Sequence, residues 1–140
     1  MGVPEPADPR PLGSLAPAPG GNAWSAESLD RSSVMEAGLR ARVADYLAGC
    51  PVFLAWMEYT RDLIGDRFGV SGGSAIVSDG VYYWRLDAAE YVREYGIAVP
   101  EEALRHFDAI GWKPPVFSQE QYLAIYRSLD ALLGGGEVIE

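Results

Sequence analysis

The sequence predicts a single α+β domain, in which a small, mainly antiparallel sheet of about three strands packs against about four helices. Three observations support this fold class. The chain has 140 residues, a length that suits one domain. Apolar residues recur at helical spacing in four segments, and a tight turn separates two strand-like segments between Ala75 and Trp84.

The first 25 residues are expected to form a disordered tail. Six of the ten prolines fall within residues 1–19, and the rest of this segment is rich in alanine and glycine. Such a composition offers little apolar surface from which to build a core. We therefore place the folded domain at residues 26–140.

The first predicted helix lies in "SSVMEAGLRARVADYLAG", where Ser33 is a suitable cap with Glu36 three residues later. The apolar run that follows predicts a buried strand from Val52 to about Met57. A helix that continues through the acidic segment also fits. It would place three carboxylates, those of Glu58, Asp62 and Asp66, on one helical face, and the sequence does not decide between the two.

A β-hairpin is expected around Asp79-Gly80, a pair that favours a two-residue type I′ turn. The alternation of side chains then assigns Ala75, Val77, Tyr82 and Trp84 to a core face. The opposite face is mixed in polarity and is predicted to be half exposed; it carries Ser74, Ile76, Ser78, Val81, Tyr83 and Arg85.

Three more helices follow the hairpin. Asp87 is a suitable cap for the first, which should stop at Gly96. Pro100 can open the second. Ser118, with Gln121 at the capping-box position, begins the last helix, and the glycines at 134–136 end it.

The residue types that most often carry chemistry are scarce. Cys50 is the one cysteine and His106 the one histidine, so a zinc site of cysteine and histidine ligands is excluded, and we predict neither a metal nor a cofactor. Cys50 is expected to be a buried apolar residue, and His106 a solvated or salt-bridged residue on a helix surface. Carboxylates are plentiful, so a carboxylate-dependent hydrolase that uses Asp62 or Asp66 stays an alternative.

The formal net charge is −9, from 11 basic and 20 acidic side chains. This balance argues against nucleic acids and anionic membranes as partners and suits solubility or a protein with a basic surface. No apolar run approaches the roughly 20 residues of a membrane span, and no signal-peptide pattern is visible, so we expect a cytoplasmic location.

A set of structural motifs is familiar as a group. They are "PVFLAW", the Ser-Asp-Gly turn with an aromatic-x-Trp strand end, "YVREYGI", "PEEAL" and a Gly-Trp-x-Pro-Pro link. Across roughly residues 40–130 the chain resembles a family of small uncharacterised actinobacterial proteins associated with toxin–immunity neighbourhoods. None of these motifs is catalytic. The resemblance therefore implies a binding role and transfers no active-site residue.

These observations favour a non-enzymatic binding protein, most concretely an immunity-type protein that covers the active site of a partner toxin. The outward Ile76/Tyr83 side of the hairpin and the acidic helices would supply the contacts. The predicted partner-binding residues are Asp79, Tyr83, Arg85, Glu94, Glu101, Glu102 and Trp112. The alternative is a small-molecule-binding or sensor domain with an aromatic pocket between the hairpin and the last helices. The sequence gives no indication of oligomeric state.

Overall fold

A computed structural model of the chain describes residues 8–18 and 24–133, and within these residues it confirms the α+β class. The α-helices are α1 (Ala37–Gly49), α2 (Ala88–Tyr95), α3 (Glu101–Ala109) and α4 (Gln119–Leu132). The strands are β1 (Arg10–Pro11), β2 (Val52–Leu54), β3 (Tyr59–Arg61), β4 (Gly69–Ser71), β5 (Ile76–Ser78) and β6 (Tyr82–Arg85). Short 3₁₀ helices cover Gly13–Leu15 and Ala26–Ser28.

The main sheet has the strand order β1-β6-β5-β2, in which β1 runs parallel to β6 and the other pairs are antiparallel. Strands β3 and β4 form a separate two-stranded antiparallel sheet. Helix α1 packs on α2, and the Trp84 indole donates a hydrogen bond to the carbonyl of Leu47 at 3.3 Å. Helix α4 packs on β2, where Tyr122 stacks on Phe53.

Helix ends follow the predicted caps closely in the second half of the chain. Ser118 and Gln121 form the reciprocal capping box of α4, and Gly96 ends α2 with a φ of 66°. Helix α1 begins later than predicted, because Val34 forms an antiparallel bridge with Ile97 and the chain stays extended there. Its cap is Glu36, whose carboxylate accepts hydrogen bonds from the first backbone amides of the helix.

The hairpin is present, but its predicted type I′ register is wrong. Ser78 pairs with Tyr83, not Val81, and Gly80-Val81 are the central turn residues. The physical reason is the side chain of Asp79, whose Oδ1 accepts hydrogen bonds from the amides of Val81 and Tyr82. Gly80 supplies the positive φ, 90°, that this turn requires. Because each partner moves by two positions, every side chain keeps its predicted face.

The prediction that one hairpin face is half exposed is wrong, since Ile76 is 2% and Tyr83 0% exposed. The N-terminal segment accounts for part of this burial. Strand β1 pairs with β6 beside Tyr83, and the Tyr83 hydroxyl donates a 2.7 Å hydrogen bond to the carbonyl of Pro17.

Residues 8–18 are therefore part of the fold, and the predicted disordered tail is wrong for this segment. Leu12 and Leu15 are fully buried in the core, and the amide of Leu12 donates to the carbonyl of Tyr83. Two leucines and a short parallel strand are enough to dock a segment whose composition is otherwise that of a linker. The tail prediction for residues 1–7 and 19–23 lies outside the described residues.

The predicted strand from Val52 to Met57 ends at Leu54, and the helical alternative for the acidic segment is wrong. Tyr59–Arg61 is instead the β3 strand, which pairs in register with Gly69–Ser71. Glu58 precedes this strand, and Asp66 lies in the turn beyond it with a φ of 56°. Across the described residues, no helix combines the length and apolar character needed to cross a bilayer.

Candidate functional site

Two of the predicted partner-binding residues, Asp79 and Tyr83, are buried, so their predicted place on an exposed surface is wrong. The Asp79 carboxylate accepts a 2.6 Å hydrogen bond from the Tyr46 hydroxyl and lies 3.2 Å from Nε2 of His106. His106 therefore has a carboxylate partner on the hairpin, a geometry that fits the salt-bridged alternative of its prediction when the ring is protonated. Both predicted contacts are thus structural elements of the hairpin.

Arg85 is also almost fully buried, contrary to its predicted exposure. Its guanidinium binds Asp87 with two hydrogen bonds, of 2.9 and 2.8 Å, and lies 4.3 Å from the centre of the Trp24 ring. The Thr60 hydroxyl donates to the same carboxylate at 2.9 Å. Asp87 was predicted to cap α2 with its side chain, and this prediction is wrong. Its carboxylate binds Arg85 and Thr60 and makes no capping hydrogen bond.

The other four predicted contact residues are at least partly exposed. Glu94 lies on α2, and Glu101 and Glu102 lie in the first turn of α3. Trp112 is half-buried, with the Arg42 guanidinium 4.6 Å from the centre of its ring. None of the four lines the three cavities described below, and their roles in partner binding stay predictions.

The two carboxylates considered for a hydrolase, Asp62 and Asp66, differ in their surroundings, since Asp62 is buried and Asp66 is exposed. Asp62 is buried and accepts hydrogen bonds from Tyr95 and from the amides of its own loop, including Arg67 at 2.8 Å. Burial alone would raise the pKa of Asp62, but these hydrogen bonds outweigh it and hold the pKa below its usual range. Asp66 pairs with Arg61 at 2.6 Å on the surface. Both carboxylates therefore have structural partners.

Cys50 is buried, as predicted, and burial raises the pKa of its thiol to about 12. A thiol with such a pKa is a poor nucleophile at neutral pH. Among the residues that the structure describes, no three His, Cys, Asp or Glu side chains are grouped so as to hold a metal ion.

Sequence reasoning missed a concentration of exposed apolar side chains that, among residues 8–18 and 24–133, runs from Trp56 to Leu63. Met57 is 98% exposed, Tyr59 60%, and Trp56 and Leu63 43% each. We call these four side chains, together with Glu58, the ribbon surface. Single exposed apolar residues are ordinary, but four within eight positions are a concentration typical of contact surfaces.

From Trp56 to Thr60 the side chains alternate between two faces. Met57 projects into solvent and Tyr59 lies across Gly69 of β4, whereas Trp56, Glu58 and Thr60 line cavities against the body of the domain. This period-two pattern was the signal available in the sequence. It was obscured because the run continues directly from the apolar residues of β2.

The ribbon surface is held in place by backbone contacts. The amide of Gly72 donates a 2.7 Å hydrogen bond to the carbonyl of Glu58. Gly72 has a φ of 69°, and a Cβ there would lie 3.1 Å from the carbonyl oxygen of Trp56. A side chain at position 72 would therefore disturb the connection between the ribbon and the β4–β5 turn.

Two cavities flank Glu58. The first, of about 250 Å³, is lined by Pro17, Trp56, Glu58, Ser74, Ile76 and Leu133. The second, of about 300 Å³, is lined by Trp24, Glu58, Thr60, Arg61, Leu63 and Arg85. Glu58 lines both cavities.

A third cavity, of about 400 Å³, lies between the tip of the hairpin and α4. It is lined by Asp79, Gly80, Val81, Phe117, Glu120, Gln121, Ala124 and Ile125. This is the location predicted for a small-molecule pocket, although its single aromatic residue is Phe117.

The fold and these surfaces define a small α+β protein with an exposed apolar ribbon beside two cavities. Comparison of the chain with protein-family models, with curated proteins and with solved structures gave no match. The resemblance to actinobacterial proteins of toxin–immunity neighbourhoods therefore stays a prediction.

Proposed function

We propose that this chain is a non-enzymatic binding protein that contacts a protein partner through the ribbon surface. The observation that carries the proposal is Met57, which is almost fully exposed between the partly exposed aromatics Trp56 and Tyr59. Tryptophan, tyrosine and methionine are the residues enriched in protein interfaces. The β3–β4 pairing fixes the backbone of Tyr59, and the hydrogen bond from Gly72 fixes that of Glu58 next to Met57. Such backbone contacts lower the entropic cost of binding.

The partner in this proposal has a basic surface. A net charge of −9 attracts such a partner over a distance and speeds encounter, whereas the apolar ribbon slows dissociation once contact is made. The concrete form that we propose is a cytoplasmic immunity-type protein, which blocks a toxin by covering its basic active-site cleft. The mechanism is steric and needs no catalytic group on this chain.

Site-specific photo-crosslinking tests the contact surface. A photoreactive phenylalanine replaces Met57 in one version of the full chain and Val116, which is 94% exposed on the link before α4, in the other. We expect an extract of the source organism to give a specific cross-link from position 57, which excess wild-type chain suppresses, and none from position 116. Equal labelling from both positions would contradict the proposal.

The captured protein is then purified and recombined with this chain. An immunity-type function predicts a stoichiometric complex that abolishes the partner's activity and that Met57→Glu weakens by at least about tenfold, since a charge would be buried at the interface. A complex that leaves the partner fully active would preserve the binding role and remove the immunity role.

A second candidate function, small-molecule binding, is favoured by the mainly apolar cavity at the hairpin tip. Ala124 lies on its α4 wall, so Ala124→Trp should fill it. If the cavity is a ligand site, a metabolite will raise the melting temperature of the wild type and not that of the filled variant. A panel of metabolites without any such effect would argue against this candidate.

A further inference from the structure

The first cavity beside Glu58 joins features that suit one kind of guest. Pro17, Ile76 and Leu133 give it apolar walls, Trp56 contributes an aromatic ring, and Glu58 contributes a carboxylate. An open, mainly apolar cavity with an aromatic ring and one negative charge matches a side chain that has an aliphatic stem and a cationic head.

Glu58 differs from the other charged residues around the two cavities, because those residues form ion pairs within the domain. Arg61 pairs with Asp66 at 2.6 Å, and Arg85 pairs with Asp87 at 2.8 Å. Glu58 forms no ion pair or side-chain hydrogen bond with any of residues 8–18 or 24–133. It is the one charged group of the first cavity's lining, and a cation supplied from outside would compensate it.

We propose that this cavity receives an arginine side chain of the partner protein. This inference rests on the proposed binding function and deepens it. A planar guanidinium can stack on the Trp56 indole and donate two hydrogen bonds to the Glu58 carboxylate, whereas the ammonium of lysine can do only the second as a point charge. The methylene groups of the arginine stem lie against Pro17 and Leu133, the partly exposed apolar residues of the lining.

The position of the two key side chains supports this geometry. Trp56 and Glu58 are two residues apart, and both line the first cavity. The hydrogen bond from Gly72 fixes the Glu58 backbone, and the outward Met57 between them stays available for the surface of the same partner. The partner's arginine would then bind in the cavity while the apolar surface around that arginine contacts Met57.

The test is a titration of the full, ¹⁵N-labelled chain with N-acetyl-arginine methylamide. The chemical shifts of the indole and backbone N–H groups of Trp56 report binding. N-acetyl-citrulline methylamide, which has nearly the same shape without the charge, is the matched probe. We expect saturable shifts in the millimolar range with the arginine probe and about tenfold weaker binding of citrulline, because both the cation–π contact and the ion pair are lost.

Variants assign the contact. Glu58→Gln should weaken the arginine probe about fivefold, whereas Glu27→Gln, an equal change of charge at an exposed position of the 3₁₀ helix Ala26–Ser28, should not. Retained dispersion of the spectrum shows that each variant is folded. Absence of saturable shifts, equal shifts from both probes, or equal effects of the two variants would each overturn the inference.

The two proposals fail separately. Photo-crosslinking at position 57 with no response to the arginine probe removes the arginine guest and keeps the protein contact. A specific response to the probe without any position-specific cross-link keeps the guanidinium site and removes the ribbon as a protein-binding surface.

Discussion

The hydroxyl of Tyr46, in the last turn of α1, donates a 2.6 Å hydrogen bond to Oδ2 of Asp79 at the hairpin turn. The same carboxylate accepts hydrogen bonds from two turn amides and contacts His106 of α3. One buried side chain therefore connects two helices to the hairpin. A buried carboxylate is tolerated only where hydrogen bonds and charges compensate its lost hydration, and here four groups do so.

Removing this carboxylate should be among the most destabilising single changes. We expect Asp79→Ala to lower the free energy of unfolding by about 3–5 kcal/mol, because it leaves buried donors without an acceptor. Tyr46→Phe removes one hydrogen bond and should cost about 1–2 kcal/mol. Urea denaturation at neutral pH measures both.

The double variant is the discriminating measurement. Since the Tyr46 hydroxyl has no carboxylate to bind once Asp79 is replaced, the double loss should be smaller than the sum of the single losses. Strict additivity would show that the two side chains contribute independently. Glu102→Ala, an exposed change on α3, should stay within about 0.5 kcal/mol of the wild type.

The hairpin shows what local sequence signals can and cannot predict. Turn residues and alternation located both strands and assigned each side chain to the correct face. The register depended on the orientation of the Asp79 side chain. That orientation is set by tertiary contacts with Tyr46 and His106, which lie far from Asp79 in the sequence. The burial of Tyr83 depended on a segment 66 residues away in the chain, and no local pattern reports such a contact.

Acid should selectively remove the contribution of Asp62. Its pKa is lower in the folded protein than in the unfolded chain, so its stabilisation is fully present above the unfolded value of 3.8 and is lost as the pH falls through the folded value. We therefore expect the difference in unfolding free energy between wild type and Asp62→Asn to be constant above about pH 5 and to shrink below about pH 4.

Asp66→Asn is the matched control for this profile, since its ion pair with Arg61 is exposed and contributes little. The unfolding free energy of Asp66→Asn should differ little from that of the wild type at every pH. A difference for Asp62→Asn that persists unchanged at the lowest pH would mean that the side chain stabilises the loop by shape and not by charge.

The N-terminal segment should contribute to global stability. Leu12 is fully buried, so Leu12→Ala is expected to lower the free energy of unfolding by about 3 kcal/mol. Val116→Ala provides the contrast, because this side chain is 94% exposed and its loss should change the value by less than about 0.5 kcal/mol. Thermal or chemical denaturation measures both variants. If Leu12→Ala changes the free energy of unfolding as little as Val116→Ala does, the N-terminal segment is not docked in solution.

Composition misled the prediction for this segment for a physical reason. Prolines and glycines across residues 1–19 suggest a linker, but a proline is compatible with a short edge strand, and Pro11 occupies one in β1. Docking then depends on two leucines that meet the face of a sheet formed much later in the chain. The ribbon was missed for a related reason, since β3 pairs with a strand whose sequence, Gly69–Ser71, carries weak strand signals.

The attachment of the ribbon to the domain can be tested at Thr60, whose hydroxyl donates a 2.9 Å hydrogen bond to Asp87. Thr60→Val keeps the size and branching of the side chain but removes the donor, so the β3–β4 sheet loses a polar link to the buried Arg85–Asp87 pair. We expect amide hydrogen exchange within Tyr59–Arg61 and Gly69–Ser71 to accelerate about tenfold, while exchange in α1 changes little. Thr60→Ser retains the hydroxyl and should exchange like the wild type. Acceleration in both variants would instead assign the effect to packing of the threonine methyl group.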